Sequence, residues 1–246
     1  MRLENKTAIV TGAGSGFGAG IARKFAAEGA RVMIADIDGA AAKQIAEETD
    51  GLAHAVDVAD GDGVAMMVDA AFAAFGQVDI LVNNAGITHK PMPMEDVSEE
   101  QFDRVFAVNA KSVYLFAKQL VPRMKSRGAG AILNVASTAG LSPRPNLNWY
   151  NATKGWMIAA TKTMAVELAP FGVRVNALCP VAGETPLLAS FLGEDTPERR
   201  AAFLATIPLG RFSTPEDMGN SACFLCSDEA SMITGVAMEV DGGRCI

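Results

Sequence analysis

The sequence predicts an α/β fold in which a parallel sheet of about seven strands carries helices on both faces. Short runs of β-branched and apolar residues alternate with longer amphipathic segments along the chain, an order typical of parallel strands connected by helices. The chain has 246 residues, half of them hydrophobic, which is enough to bury the core of one such domain. We therefore expect a single domain over residues 1–246, without a linker or an internal repeat.

The predicted elements follow one another in the order strand, helix, strand. The predicted strands are Ala8–Thr11, Val32–Ala35, Ala53–Val56, Ile80–Val82, Ala131–Val135, Val173–Leu178 and Val236–Val240. The predicted helices are Gly18–Glu28, Ala40–Glu48, Gly63–Phe75, Gln101–Arg127 and Trp149–Pro170. Right-handed connections between such strands place the helices on both faces of the sheet.

Three less regular stretches each follow a predicted strand: His89–Ser98, Thr138–Asn148 and Val181–Thr196. In open α/β sheets the ligand crevice lies beyond the carboxyl ends of the strands. We therefore expect these three stretches to form the walls of a substrate site.

Composition and charge favour a small-molecule function. A net charge of −7, with no stretch rich in Lys or Arg, disfavours binding to nucleic acid or to anionic membranes. No apolar run approaches the length needed to cross a bilayer, and the first ten residues lack the apolar core and cleavage site of a signal peptide. We expect a cytoplasmic protein with neither a membrane nor a nucleic-acid partner.

Two of the four cysteines, Cys223 and Cys226, have the C-x-x-C spacing found in metal and redox sites. A closed zinc site needs four ligands, and the only histidines, His54 and His89, show no ligand spacing to this pair. We predict no metal site, and we expect both cysteines to pack as small apolar residues on a helix.

A glycine-rich turn follows the first predicted strand directly. The segment Thr11–Gly18 reads Thr-Gly-Ala-Gly-Ser-Gly-Phe-Gly, and a helix begins within it. Glycine permits a tight turn and lets backbone N–H groups approach a pyrophosphate, which the positive end of the helix stabilises. The turn predicts a dinucleotide site in a doubly wound sheet of the Rossmann type. The expected contacts are Gly12, Ser15, Gly16, Phe17 and Gly18.

Asp36, after the second predicted strand, predicts which dinucleotide binds. It lies twenty residues beyond Gly16, where an acidic side chain binds the hydroxyl groups of the adenosine ribose. A 2′-phosphate there would meet Asp36 and Asp38, and neither the glycine turn nor Ile37–Ala41 has an Arg or Lys to receive it. We therefore expect the cofactor to be NAD.

Tyr150 and Lys154 stand four residues apart in a predicted helix, so their side chains share one face. A phenol with a pKa of about 10 is a poor base at neutral pH, but a nearby ammonium and a cationic nicotinamide ring both favour its phenolate. The pair predicts proton transfer by Tyr150, assisted by Lys154.

The chain resembles the short-chain dehydrogenase/reductase family from Lys6 to Gly243. Besides the glycine turn and Tyr150-x-x-x-Lys154, it has the family's other motifs in order. They are Asn83-Asn84-Ala85-Gly86, Asn109 in Val-Asn-Ala-Lys, and Ser137 thirteen residues before the tyrosine. The resemblance implies that Ser137 holds the substrate oxygen and Tyr150 exchanges its proton. It also implies that Lys154 binds the nicotinamide ribose and lowers the pKa of the tyrosine, and that Asn109 anchors a water in the proton relay.

The resemblance implies further contacts with the cofactor. Asp57 would contact adenine, Asn83 and Gly86 would border the adenosine ribose, and Thr185 would hold the carboxamide. Val58, Ala85 and Pro180 complete the cofactor contacts that it implies.

The chain departs from the family pattern in one loop and matches it at the C-terminus. The family usually has Pro-Gly after the sixth strand, whereas Val181 follows Pro180 here, a departure that bears on the local loop geometry and on the contact of Thr185. The segment Met238–Gly243 resembles the family's ending and implies a seventh strand and a homotetramer.

The predicted activity is NAD-dependent oxidation of a secondary alcohol, such as a polyol, sugar acid or hydroxy acid, to the ketone. One alternative is a 3-oxoacyl-[acyl-carrier-protein] reductase, which the lack of an NADP site disfavours. Another is a cofactor-binding regulatory protein without activity, since fold alone never establishes catalysis; the intact set of Asn109, Ser137, Tyr150 and Lys154 disfavours it.

The substrate loops carry no recognised motif, so the substrate stays open at this level. Arg144, between Pro143 and Pro145, is a candidate for binding an anionic substrate. The alternative is an ordinary solvated loop arginine. A contact of His89 with the substrate is equally open.

Overall fold

The computed structural model describes residues 1–246 and contains one sheet of seven parallel strands. The strands are β1 (Thr7–Thr11), β2 (Arg31–Asp36), β3 (Leu52–Ala55), β4 (Ile80–Asn83), β5 (Gly130–Val135), β6 (Val173–Pro180) and β7 (Ala237–Val240). Their spatial order is β3-β2-β1-β4-β5-β6-β7. The predicted doubly wound parallel sheet is confirmed, and every predicted strand is present with ends shifted by two residues at most.

Nine α-helices connect or follow the strands. They are α1 (Gly16–Ala27), α2 (Gly39–Thr49), α3 (Gly61–Phe75), α4 (Glu99–Phe106), α5 (Ser112–Arg127), α6 (Asn148–Leu168), α7 (Leu188–Leu192), α8 (Pro197–Leu204) and α9 (Pro215–Cys226). No helix is both long enough and apolar enough to span a bilayer.

The helices differ from the prediction in several respects: α8 was not predicted, and α9 was expected only as a helix that carries Cys223 and Cys226. The predicted single helix Gln101–Arg127 is α4 and α5 joined by a π-helical turn at Ala107–Lys111, which hydrophobic periodicity does not reveal. The stretch Val181–Thr196, predicted to be among the less regular ones, contains one short helix, α7. This helix has only five residues, too few for a periodic pattern to stand out.

The core lies in two layers, one on each face of the sheet. Ala8 and Val10 point to the face covered by α1, α2 and α9, whereas Ile9 between them points to the face covered by α3 and α5. This alternation follows from the two-residue period of a strand. Because both faces are covered, the central strands read as continuous apolar runs.

The two cysteines of the C-x-x-C segment lie on α9 and pack in the core, as expected. Burial raises the pKa of the Cys226 thiol to about 12. A thiol with such a pKa does not form the thiolate that metal binding or redox exchange requires at neutral pH.

The order of the strands reverses between β1 and β4, since β1 leads to β2 and β3 on one side while β4 leads to β5, β6 and β7 on the other. Loops that leave adjacent strands at this switch point run in opposite directions and open a crevice between them. The cleft of the protein lies there.

Candidate active site

The cleft has a volume of about 420 Å³ and is lined by residues from both halves of the sheet. Gly12, Ser15, Gly16 and Phe17 come from the glycine turn, and Asp36 from the end of β2. Ser137, Tyr150 and Lys154 line the same cleft from the other half. The structure therefore brings the two predicted groups of residues together.

The glycine turn lies directly against the loop that follows β4. A Cβ built on Gly12 would lie 2.8 Å from the Cα of Ala85, so no side chain fits there. At Gly18 a Cβ would overlap the carbonyl oxygen of Gly12. Gly18 is buried and does not line the cleft, and its lack of a side chain lets α1 pack against the turn.

Thr11 and Asn84 hold this approach together, and the sequence analysis assigned neither of them a role. The Thr11 Oγ1 accepts hydrogen bonds from the backbone N–H groups of Asn84 and Ala85, both at 3.0 Å. The Asn84 amide donates to the carbonyl oxygens of Thr11 and Gly12, at 2.8 and 3.0 Å. A polar pair at the ends of neighbouring strands is the only signal that the sequence offers for this bridge.

The N-terminus of α1 has the free backbone donors that a pyrophosphate requires. Ser15 at the N-cap makes no capping hydrogen bond with its side chain, and the first turn has no acidic residue. By contrast, side chains cap α4, α8 and α9. The uncapped N–H groups and the positive end of the helix face the cleft, so the residues present fit a dinucleotide.

Asp36 stands at the rim of the cleft, beside this helix terminus. Its Oδ2 accepts a hydrogen bond from the Gly14 N–H at 2.8 Å, and its Oδ1 accepts one from the Asp38 N–H at 3.0 Å. Each carboxylate oxygen keeps a further lone pair. The carboxylate is thus fixed in place while it can still accept from ribose hydroxyls.

Asp57 lines the cleft together with Val58 and forms an ion pair with Arg104, at 2.9 Å between Oδ2 and Nη1. Burial acts to raise the pKa of Asp57, but the hydrogen bond from the Ala59 N–H and the Arg104 guanidinium outweigh it, and the net pKa is lowered. The carboxylate is therefore ionised and partly engaged within the protein.

Asn83 does not line the cleft, although Ala85 and Gly86 do. Its buried side chain donates to the Oδ1 of Asn134 at 2.8 Å, within the β4–β5 pair. The side chain of Asn83 therefore does not border the ribose as expected. Side chains alternate between the two faces of a strand, and that of Asn83 points into the protein interior.

Tyr150 and Ser137 face each other in the cleft. Burial raises the pKa of the Tyr150 phenol to about 12, and an interaction with the Ser137 hydroxyl opposes this rise. In the protein alone the phenol is therefore protonated at neutral pH, and its use as a base depends on positive charge supplied nearby.

Lys154 supplies such a charge from the next turn of α6. Its Nζ lies 5.8 Å from the centre of the Tyr150 ring and donates to the carbonyl oxygen of Val135 at 2.8 Å. Burial lowers the pKa of Lys154 to about 8, and no carboxylate pairs with it. A Cβ on Gly86 would lie 3.3 Å from this Nζ, so Gly86 leaves room for the ammonium.

Asn109 lies in the π-helical turn behind the cleft and is fully buried. Its amide accepts from the Ile87 N–H at 2.9 Å and donates to the Ile87 carbonyl oxygen and to the Thr153 Oγ1. Thr153 in turn donates to the carbonyl oxygen of Tyr150 at 2.8 Å. The side chain thus ties the loop after β4 to α6, and it does not itself line the cleft.

The segment after β6 covers the cleft. Pro180 and Thr185 line it as expected, and Thr185 lies against Gly16, where a Cβ would be 3.2 Å away. Val181, which replaces the family's glycine, is buried in a small apolar cluster with Leu188 and Phe212. This cluster holds α7 over the site. Phe191 of α7 packs edge-on against the Tyr150 ring, with 5.1 Å between the ring centres.

Two of the three predicted substrate loops line the cleft. Side chains after β5 and β6 form its outer part, among them Leu147, Leu187, Phe191, Phe203 and Arg144. No residue of His89–Ser98 lines it, so that expectation is wrong. His89 is buried with its Nδ1 beside the carbonyl oxygen of Lys90 and does not line the cleft.

A dinucleotide cradle, a buried Tyr-Lys pair and a serine hydroxyl in one cleft define a nicotinamide-dependent oxidoreductase acting on CH–OH groups. A family model described as enoyl-(acyl carrier protein) reductase matches residues 12–244. The chain is 48% identical to the 4-formylbenzenesulfonate dehydrogenase TsaC1/TsaC2 of Comamonas testosteroni, over 100% of both chains. It is 40% identical to the 3-oxoacyl-[acyl-carrier-protein] reductase FabG of Thermotoga maritima, also over 100% of both chains.

A solved structure of a similar protein has the same fold. The fold is similar to the crystal structure of a 3-ketoacyl-(acyl-carrier-protein) reductase from Brucella melitensis complexed with NADH, with a TM-score of 0.95 and 53% identity. The match covers 99% of this chain and 100% of that one. The chain belongs to the short-chain dehydrogenase/reductase family.

The buried ammonium of Lys154 predicts a pH-dependent stability difference between the wild type and Lys154→Met. Because folding lowers this pKa from 10.5 to about 8, the unfolded chain binds more protons between these values, and the contribution of Lys154 to wild-type stability rises with pH there. Below about pH 8 the folded protein carries the whole free-energy cost of burying the Lys154 ammonium, which is on the order of 3 kcal/mol. We expect the free energy of unfolding of Lys154→Met, relative to that of the wild type, to be highest near pH 7. It should decline toward pH 10 by an amount on the order of 3 kcal/mol.

Urea unfolding at several pH values measures this difference. The lost hydrogen bond to Val135 does not depend on pH, so it shifts the curve without changing its slope. Lys43→Met, at an exposed lysine on α2, is the control for loss of a surface ammonium. A difference for Lys154→Met that stays constant from pH 7 to pH 10 would contradict the burial argument.

Proposed function

We propose that the protein is an NAD-dependent dehydrogenase that oxidises an alcohol with an apolar body to the corresponding carbonyl compound. The observation that carries the proposal is the cleft itself, in which the Tyr150-Lys154 pair lies between the dinucleotide cradle and walls made by Leu147, Phe191 and Phe203. The Comamonas testosteroni relative is named for an aryl aldehyde, which suits such walls better than a polyol does. The use of NAD favours oxidation as the direction.

The side chains divide the proton chemistry among themselves. Ser137 donates to the substrate oxygen and holds it beside the Tyr150 hydroxyl. Tyr150 accepts the alcohol proton as a phenolate, and the Lys154 ammonium stabilises that phenolate. Bound NAD would accept the hydride from the alcohol carbon. Asn109 holds the backbone of Tyr150 in position, because it donates to the Thr153 hydroxyl, which in turn donates to the Tyr150 carbonyl oxygen.

The preference for NAD over NADP is supported by charge. Asp36 presents a carboxylate at the adenosine end of the cleft, and Asp38 lies two residues further. Arg104, the arginine that lines this part of the cleft, is already paired with Asp57. A 2′-phosphate would thus meet two carboxylates without a free cation to neutralise it.

A second candidate is the reduction of a 3-oxoacyl group on acyl carrier protein, as in the names of the relatives from Thermotoga maritima and Brucella melitensis. The same Ser137, Tyr150 and Lys154 would serve it with the proton moving in the opposite direction. NADH oxidation with acetoacetyl-coenzyme A tests this candidate, and NAD reduction with alcohols tests the first.

We also propose a homotetramer, on the basis of family resemblance and of exposed aromatic side chains. Phe102, Phe106, Tyr114 and Trp156 on α4, α5 and α6 are each more than one-third exposed. A cluster of this kind on a surface marks a contact with another chain.

The Tyr150→Phe variant tests the catalytic proposal. The change removes the acid/base hydroxyl and keeps the ring against Phe191, so kcat is expected to fall on the order of 100-fold or more. NADH affinity, measured by fluorescence titration, should stay within a few-fold of the wild type. Near-normal kcat would overturn the mechanism. Absence of wild-type turnover on any alcohol or ketone would instead support a non-catalytic role.

Cofactor choice is tested with Asp36 and Ser15 in a double-mutant cycle. Asp36→Ala removes charge-assisted hydrogen bonds to the ribose, each worth about 1.5–3 kcal/mol, so NAD use should fall more than NADP use rises. Ser15→Arg adds a cation at an exposed N-cap whose side chain makes no capping bond. The double variant should gain NADP-linked kcat/KM beyond either single change.

Asp36→Asn is the matched control, because its amide oxygen can still accept from the Gly14 N–H. Similar losses of NAD use in the Ala and Asn variants would assign the effect to charge and ribose binding and not to the turn. A wild type that prefers NADP would refute the assignment of Asp36.

The tetramer predicts a solution mass four times that of the 25.7 kDa chain, measured by light scattering after size exclusion. Phe106→Glu, which places a charge in the aromatic cluster, should lower this mass, whereas Lys43→Glu on α2 should not. A monomeric wild type would contradict the proposal.

A further inference from the structure

Arg144 lies in the cleft with a guanidinium that nothing in the protein satisfies. Its Nη2 is buried without a hydrogen-bond partner, and no carboxylate pairs with any of its nitrogens. The chain has twelve arginines. The guanidinium of each of the other eleven donates at least one hydrogen bond within the protein.

A buried guanidinium nitrogen without a partner is costly, because an arginine in a protein keeps its charge. In native structures such a group calls for an explanation, and an ion or ligand that binds there is one of them. The two arginines of α8 show how a guanidinium is usually neutralised within a protein, since Arg199 pairs with Glu194 and Arg200 pairs with Asp195.

The guanidinium packs against an aromatic ring. Its carbon lies 4.2 Å from the centre of the Phe203 ring on α8. Stacking on a ring leaves the edge of the guanidinium, which carries the N–H donors, available for two parallel hydrogen bonds to an oxyanion.

The backbone of Arg144 is tied to the catalytic helix. Its carbonyl oxygen accepts a hydrogen bond from the Asn151 side chain at 2.7 Å, and Asn151 follows Tyr150 directly. The backbone from which the guanidinium extends is therefore tied to the helix that carries the reactive phenol, and the apolar side chains of Leu147 and Phe191 line the same cleft.

We propose that the substrate carries an acidic oxyanion, a carboxylate or a sulfonate, at the end of its apolar body away from the alcohol, and that Arg144 binds this group. This substrate class rests on the proposed dehydrogenase function. It replaces the broad range of alcohols with apolar hydroxy acids and their sulfonate counterparts.

The proposal is tested first with matched alcohols. Wild-type enzyme is assayed for NAD reduction with 4-(1-hydroxyethyl)benzoate, with the corresponding benzenesulfonate and with 1-phenylethanol. Charge-assisted pairs are worth enough for a preference for the acids on the order of 10- to 100-fold in kcat/KM, expressed mainly in KM. The better of the two acids identifies the oxyanion.

Variants assign this preference to Arg144. In Arg144→Met the ratio of kcat/KM between acid and neutral alcohol should fall on the order of 10- to 100-fold, and Arg144→Lys should retain part of it. Arg244→Met is the matched control, because Arg244 also packs on Phe203, at 5.5 Å, but donates to the Thr206 carbonyl oxygen; its ratio should stay at the wild-type value. An equal fall in Arg244→Met, or an unchanged ratio in Arg144→Met, overturns the proposal.

An equilibrium measurement separates this inference from the proposed function. Calorimetry on the NADH complex compares the binding of benzoate and benzenesulfonate with that of the neutral benzamide. In the wild type we expect the better anion to bind on the order of 10-fold more tightly than benzamide, and in Arg144→Met we expect no such difference. Anion binding that depends on Arg144, without turnover of any alcohol, would refute the dehydrogenase and leave the oxyanion site standing. Turnover of alcohols with no preference for anions, in either assay, would refute the oxyanion site alone.

Discussion

The close approach of the carboxyl ends of β1 and β4 is the constraint on which the rest of the site depends. Gly12 and Ala85 are in backbone contact there, and the Thr11 hydroxyl and the Asn84 amide close the gap with four hydrogen bonds. Without this contact the helix terminus of α1 and the loop after β4, where Gly86 leaves room for the Lys154 ammonium, would not border one cleft. The switch point of a doubly wound sheet supplies the crevice, and this polar bridge sets its width.

The catalytic pair shows how burial and charge oppose each other in the same place. Burial alone moves the phenol of Tyr150 and the ammonium of Lys154 toward their neutral forms. Positive charge acts in the other direction on the phenol, because it stabilises the phenolate. In the protein alone the phenol of Tyr150 therefore stays protonated, whereas Lys154, with a pKa of about 8, is still largely an ammonium at neutral pH. Its positive charge is thus available to stabilise the phenolate.

The cations of the cleft are used differently at its two ends. At the adenosine end Arg104 is neutralised by Asp57, so that part of the cleft has no cation to spare for an additional phosphate. At the substrate end Arg144 has no partner in the protein. This difference in pairing supports the two proposals, NAD at one end and an acidic substrate at the other.

The sequence by itself determined the sheet, its cofactor turn and the catalytic residues, because these depend on local patterns. Seven apolar runs predicted seven strands, the four-residue spacing paired Tyr150 with Lys154, and the resemblance to the short-chain dehydrogenase/reductase family added Ser137 to them. Tertiary structure alone decided the rest. The roles of Thr11 and Asn84, the turn of Asn83 away from the cleft and the packing role of Gly18 depend on neighbours far along the chain. The same holds for the lid formed by α7 and for the unpartnered guanidinium of Arg144, because a partner, or its absence, is a property of residues brought together in space.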